Sequence, residues 1–485
     1  MKSHSAARTL VVLLLLTTLG ILLQGYHPGA EDDGVYLSAI KKDLNPALYP
    51  HDSDFFMLQL QATGFDNLIA GSVRLTHLPI GVVLLGWQFV STFLLLWGCW
   101  RISCRCFGEA TAQWAAVATV AVLLTLPVAG AALYLTDQYL HPRALATAIV
   151  LAAVAAVLDH KRILAAVLLA AAFLVHPLMA AFGISYCVLL AWNQPPVSTM
   201  PMAFLMLPLG WIFEPTSPAW QQAAHTRDYY YLSRWEWYEW LGILAPLFLL
   251  WWFRRIATAK GSRVLARMTS RLVLFGCLQF AVALVIMLTP ALDRMRSFQP
   301  MRYLHLLYLL FVLFAGGLIG QRILRTHIVR WLLLFVPLAL GMFIAQRQTF
   351  SATEHMEWPG QSSRNEWLQA FAWVRQNTPA DAMFALDPYY MQRPGEDFHS
   401  FRALAERSAL ADYAKDPAVA TQVPRLAARW QREVGAQEGW QHFQSADFQR
   451  LRNEFGVNWV ILERPGVNGL TCPYENRALL VCRIE

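Results

Sequence analysis

Three polar stretches in an otherwise apolar chain carry side chains that could do chemistry. The first sets Glu31, Asp32 and Asp33 side by side, directly after an apolar run. Adjacent carboxylates can act as a general base or hold a cation, and partial burial of such a pair raises one pKa. The second, TDQYLHPR, carries Asp137, His141 and Arg143. The third, TPALDRMRSFQPMR, carries Asp293, Arg294, Arg296, Gln299 and Arg302. Guanidinium groups offer paired donors to phosphate. Acidic and arginine-bearing loops facing one external cavity would suit transfer from a phosphate-activated donor. A carboxylate would take the acceptor hydroxyl's proton, and arginines, with or without a divalent cation, would stabilise charge on the departing phosphate. His176, before Pro177 within a long apolar stretch, is an ionisable group at membrane depth and so a functional candidate. Each feature also has a plainer reading: solvated surface acids, an Asp137–His141 pin across a loop, arginines on lipid headgroups, and a histidine that satisfies a broken helix.

The elements that must position these groups are membrane spans. The chain has 485 residues, 56% of them apolar and only 15% charged, against about 25% charged in soluble domains. Its apolar runs have the length needed to cross a bilayer core. The net charge of +7 falls mostly in short loops that the topology assigns to the cytoplasm, so it is a positive-inside signal, not a nucleic-acid one. The expected fold is mainly α, a polytopic helical membrane protein with about eleven spans. The spans are read at 10–23, 75–100, 110–133, 144–158, two short helices within 163–192, 202–213, 241–253, 272–288, 304–319 and 331–345. The first is read as an uncleaved signal anchor with its amino terminus inside. Between the first two lies a long external loop, about 25–74, with two short helices expected on the membrane surface.

Residues 1–345 thus form a membrane domain, and 346–485 a second domain in which charges return. EWLQAFAWVRQNTP reads as a helix stopped by its Asn-Thr-Pro end. AMFAL, VNWVIL and ALLVCRI read as buried strands, and segments near 423–434 and 447–455 as helices. Strands alternating with helices imply a small external α/β domain. Of the seven cysteines, Cys472 and Cys482 lie in this tail and either close a small loop or stay as thiols. The loop with Tyr389, Tyr390, Arg393 and Arg402 follows a strand directly, where α/β domains place binding residues.

An amino-terminal anchor, a long first external loop opening with paired acids, many spans and an external α/β tail resemble the GT-C superfamily of integral membrane glycosyltransferases. WVRQNTPADAMFALDPYY is similar to the start of the external domain in bacterial members, and no WWDYG-like run of the oligosaccharyltransferase branch is present. The resemblance implies an inverting transferase that moves a sugar from a polyprenyl-phosphate donor to a glycan, lipid or protein acceptor in the cell envelope. It implies Asp33, or else Asp32, as catalytic base, with the two acids as a candidate site for Mg or Mn. Asp137, His141, Arg143, His176, Arg294, Arg296, Gln299 and Arg302 would bind substrate, and Tyr389, Tyr390, Arg393 and Arg402 would lie on the acceptor side. The setting would be the bacterial inner (cytoplasmic) membrane, with the amino terminus cytoplasmic and the tail periplasmic. The competing class is a lipid-glycan transporter or a non-catalytic subunit of glycan assembly; the lack of an inverted repeat weighs against the transporter. No HExxH or GxSxG supports a hydrolase.

Overall fold

The computed structural model describes residues 6–61, 63–192, 215–393 and 396–485. The chain is mainly helical. Among the described residues, six helices are long and apolar enough to cross a membrane: Ala6–Gln24, Ile80–Cys106, Trp237–Ala259, Arg263–Leu288, Pro300–Leu324 and Ile328–Thr349. Shorter apolar helices cover Ala110–Val122, Pro142–Leu158, Arg162–Val175 and Pro177–Ala191. The span expected at 202–213 lies outside the described residues.

One expected span is cut short and another is displaced along the chain. The helix that was to run over 110–133 ends at Val122. Pro127 has no amide to continue it, and the backbone turns through Gly130 (φ 60) and Ala132 (φ 49) into an antiparallel hairpin, β1 (Pro127–Val128) and β2 (Leu133–Tyr134). The span expected from 75 starts instead at Ile80. A separate helix, Phe65–Thr76, precedes it and ends at His77 in the left-handed conformation (φ 55), just before Pro79.

Packing divides the chain into two units. The first comprises Met1–Gly25, Gly86–Pro215 and Asp228–Gln346. Its centre is the span Pro300–Leu324, which is largely buried, whereas Ile328–Thr349 is almost wholly unburied. Close approach comes from small residues. A Cβ on Gly316 would lie 3.0 Å from the carbonyl of Ala115, and one on Gly320 2.5 Å from the Ala115 methyl, the small-residue contact common between membrane helices.

The second unit comprises Tyr26–Leu85, Thr216–Arg227 and Arg347–Glu485. Its sheet has the order β4-β3-β5-β7-β6, with β3 (Met383–Ala385), β4 (Ser408–Ala409), β5 (Trp459–Glu463), β6 (Thr471–Glu475) and β7 (Leu479–Arg483). β3 is parallel to β4 and β5, while β7 is antiparallel to β5 and β6. Alternate residues face opposite layers. Phe384, Ile461, Leu479 and Val481 pack on one face with Trp367, Phe371 and Val374 of the helix Glu366–Asn377. Met383, Ala385, Val460, Leu462 and Cys482 pack on the other with Phe448 and Leu451 of the helix Ser445–Phe455. Both faces are covered, which is why the strands read as nearly continuous apolar runs. Cys472 and Cys482 form a disulfide between β6 and β7.

The helix Asp33–Leu44, expected to lie on the membrane surface, is enclosed. Every residue from Asp33 to Lys41 is buried, and the helix packs on Asp54–Leu60, Phe65–Thr76 and Phe401–Ala405. The Trp- and Tyr-rich stretch over 218–240 also sends residues inward. Trp220, on the short helix Pro218–His225, is fully buried and donates its indole N–H to the Thr421 carbonyl at 2.9 Å.

Candidate functional site

Residues 26–34 form a strap stitched on both sides to the carboxyl-terminal segment. Tyr26 N–H donates to the His355 carbonyl at 3.0 Å, and Glu357 N–H to the Tyr26 carbonyl at 2.9 Å. Glu31 N–H donates to Phe398 at 3.0 Å, and Ser400 N–H to Gly29 at 2.8 Å. Gly29 sits at φ 86, a conformation that costs glycine little. The turn aims its amide at Asp33 Oδ2, 2.7 Å away. Gly34 is needed for space: a Cβ there would lie 2.6 Å from Ser400 Cβ.

The three adjacent acids meet different fates. Asp33 is 2% exposed, and its Oδ1 is buried with no hydrogen-bond partner among the described residues. Burial pushes the carboxyl up to about 7, against the Gly29 amide and the charges of Lys41 and His399, which pull it down. Glu31 and Asp32 share an ammonium instead. Lys415 Nζ bonds Glu31 Oε2 and lies 3.2 Å from Asp32 Oδ1. Burial would lower that lysine's pKa, but the two carboxylates raise it. The pair expected to hold Mg or Mn is therefore divided between an ammonium and an amide. No three His, Cys, Asp or Glu side chains are grouped to hold a metal among the described residues.

Beside Asp33 lies a network that residue spacing did not reveal. Glu357 bridges two histidines: His27 Nδ1 is 2.8 Å from Oε1 and His399 Nε2 is 3.1 Å from Oε2. His27 is fully buried and stacks on Phe350 with ring centroids 4.0 Å apart. Thr353 Oγ1 donates to Asp397 Oδ2 at 2.7 Å. Burial alone would raise Glu357, but His399 and His27 hold it down to about 2. His399 is raised in turn, since Glu357, Asp397 and Glu396 outweigh its burial.

In the first unit, five of the expected substrate residues gather. Arg143 Nη2 bonds Asp137 Oδ1 at 2.6 Å with both side chains buried. His141 Nδ1 accepts the Arg143 amide at 3.0 Å and caps the helix Pro142–Leu158. His176 Nδ1 accepts the Met179 amide and caps Pro177–Ala191. The rings of His141 and His176 are 6.4 Å apart, and Arg143 and Arg302 lie within electrostatic reach of His176. His305, which spacing did not single out, joins them: its Nε2 meets the Leu135 carbonyl at 2.9 Å, and its Nδ1 is buried with no hydrogen-bond partner among the described residues. Arg296 is engaged elsewhere, by Asp293 at 2.8 Å, the Tyr230 carbonyl and the Tyr231 ring. Arg294 is half-buried and its carbonyl accepts the Ser297 hydroxyl at 2.7 Å. Gln299 is buried at φ 51.

Of the residues expected on the acceptor side, Tyr389 is 41% exposed. Tyr390 is buried against Trp367, and its hydroxyl accepts the Phe401 amide at 2.7 Å. Arg393 pairs with Asp387 and Glu463. Arg402 is buried, holds both oxygens of Asp416 at 2.7 and 2.8 Å, and reaches the carbonyls of Ala409 and Leu410.

Residues 365–432 match a family described as a domain of unknown function (DUF6798). No curated protein matches the chain.

Proposed function

We propose that the chain is a membrane glycosyltransferase that moves a sugar, with inversion, from a polyprenyl-phosphate donor to an acceptor hydroxyl, and that Asp33 is its general base. The observation that carries this reading is the state of Asp33. It is buried, accepts the Gly29 amide, and has one oxygen without a hydrogen-bond partner among the described residues. Its carboxyl, raised to about 7, matches the neutral range in which a general base is most effective. Its neighbour Asp32 is committed to Lys415, which favours Asp33 within the pair.

In this mechanism the acceptor oxygen attacks the anomeric carbon on the face opposite the phosphate. Asp33 takes the hydroxyl proton, the anomeric C–O bond breaks, and its electron pair leaves on the polyprenyl phosphate. Arginine side chains stabilise the negative charge growing on the departing phosphate. No step is routed through Mg or Mn, because the expected ligand pair is split.

The accompanying topology has about eleven spans in the bacterial inner membrane, a cytoplasmic amino terminus and a periplasmic tail. The Cys472–Cys482 disulfide supports an oxidising compartment for the tail. Arg254, Arg255, Lys260 and Arg263, around the junction of the spans Trp237–Ala259 and Arg263–Leu288, support a cytoplasmic loop there. The test is sugar transfer in proteoliposomes supplied with polyprenyl-phosphate sugars. Asp33→Asn should insert normally and lose about 10²–10⁴ in rate, the usual loss for a positioned base. Full transfer by both Asp32→Asn and Asp33→Asn would remove the enzyme reading and leave a lipid-glycan transporter or a non-catalytic assembly subunit.

A further inference from the structure

The second unit contains a cavity of about 1240 Å³ that no part of the mechanism above uses. One wall is the helix Glu366–Asn377, which presents Trp373 and Gln376, and another is the turn bearing Trp358 and Arg364. Trp373 stacks on Tyr474 of β6 with ring centroids 5.1 Å apart, and both line the space. Trp358 is 43% exposed although it is one of the largest apolar side chains in the chain. Glu357, whose carboxylate bridges His27 and His399, also lines the cavity.

Flat aromatic faces interleaved with guanidinium, carboxamide and carboxylate groups match a ligand with apolar C–H faces and hydroxylated edges. Saccharides have that surface. A pocket for one drug-sized molecule is about 300–1,000 Å³, so this cavity has room for more than one ring. We propose that it binds an oligosaccharide chain, with Trp358 and Trp373 as stacking platforms and Arg364 and Gln376 as edge contacts. The assignment rests on the transferase reading only in naming this chain as the acceptor; the binding itself does not require catalysis.

The experiment uses the full chain in nanodiscs, because detergents with sugar headgroups would compete. The probes are neutral, N-acetylated and uronic oligosaccharides of several residues, followed by saturation-transfer NMR and tryptophan fluorescence. Saturable binding of at least one class is expected. It should weaken by about tenfold or more in Trp358→Ala and in Arg364→Ala, a loss on the order of 1.4 kcal/mol. Both side chains are exposed, so these variants should fold. Asp33→Asn should bind as the wild type does. No binding by any class, or binding that both cavity variants leave unchanged, would overturn the proposal. So would displacement of the oligosaccharide by a simple phospholipid, which would assign the space to a lipid. Binding that is kept while Asp33→Asn retains full transfer would sink the catalytic reading and leave the saccharide site standing.

Discussion

Asp33→Asn should make the protein less active, and its stability relative to the wild type should rise with pH. In the folded chain burial raises the Asp33 carboxyl from 3.8 to about 7. Between those values the unfolded chain has released its proton and the folded chain has not. The folded state binds more protons there, so stability falls as pH rises through the window and stays low above it. The whole shift corresponds to about 4 kcal/mol. The part lost between pH 5 and pH 8 is about 2–3 kcal/mol. Asparagine does not titrate, and its oxygen can still accept the Gly29 amide. Its NH₂ would enter the place where Oδ1 has no partner, a cost of about 1–3 kcal/mol at every pH. That constant cost cancels when the two pH values are compared. Urea unfolding followed by tryptophan fluorescence, on both proteins at pH 5 and pH 8, should show the variant gaining about 2–3 kcal/mol on the wild type between the two. An equal gap at both pH values would mean that Asp33 is not held as a buried, part-neutral acid, and the ground for making it the base would be gone.

Glu357→Gln should destabilise the second unit by up to about 3 kcal/mol near pH 6. The Glu357 carboxylate is held down to about 2 by His399 and His27, so its contribution is present above about pH 4.5 and lost as pH falls towards 2; a loss that is the same at pH 3 and pH 6 would contradict the bridge. Gly34→Val should cost about 1–3 kcal/mol through overpacking against Ser400, measured by denaturant unfolding, and Ser400→Gly should recover part of it. Arg402→Leu strands Asp416 in the interior and should cost about 3–5 kcal/mol; limited proteolysis should then cut the tail, and wild-type resistance would refute the structural role. A cysteine placed at exposed Glu454 should react with an impermeant maleimide in intact cells, whereas labelling only after lysis would reverse the topology.

The parts of the fold that a reader of the sequence could recover are those set by local pattern. The helix Glu366–Asn377 has its cap, its apolar stripe and its Pro stop within one segment. The strands β5 and β7 are apolar runs because both their faces are covered. The errors arise where backbone chemistry interrupts an apolar run. The stretch 110–133 has the composition of a span, but Pro127 and Gly130 turn it into a hairpin. The helix Asp33–Leu44 looks amphipathic, but its polar face is spent inside the protein, where Lys41 bonds Glu406 at 2.7 Å and the Ala403 carbonyl at 2.8 Å.

The candidate site divides in the same way. Three acids in a row are visible to anyone reading the chain, but their difference in chemistry is not, because partners distant in sequence decide it. Lys415, which neutralises Asp32, is 383 residues away from it. His27 meets Glu357 across 330 residues. Glu31 and Asp32 pair with the Lys415 ammonium and fasten the strap, while Asp33 is buried within electrostatic reach of His399, with one oxygen that has no hydrogen-bond partner among the described residues. The raised pKa of Asp33 therefore comes from enclosure by the tail. A truncation that keeps residues 1–345 would retain the acid run and return Asp33 to an ordinary carboxylate. Such a chain should insert and show no transfer, and adding the tail as a separate polypeptide should restore activity only if it re-encloses the strap.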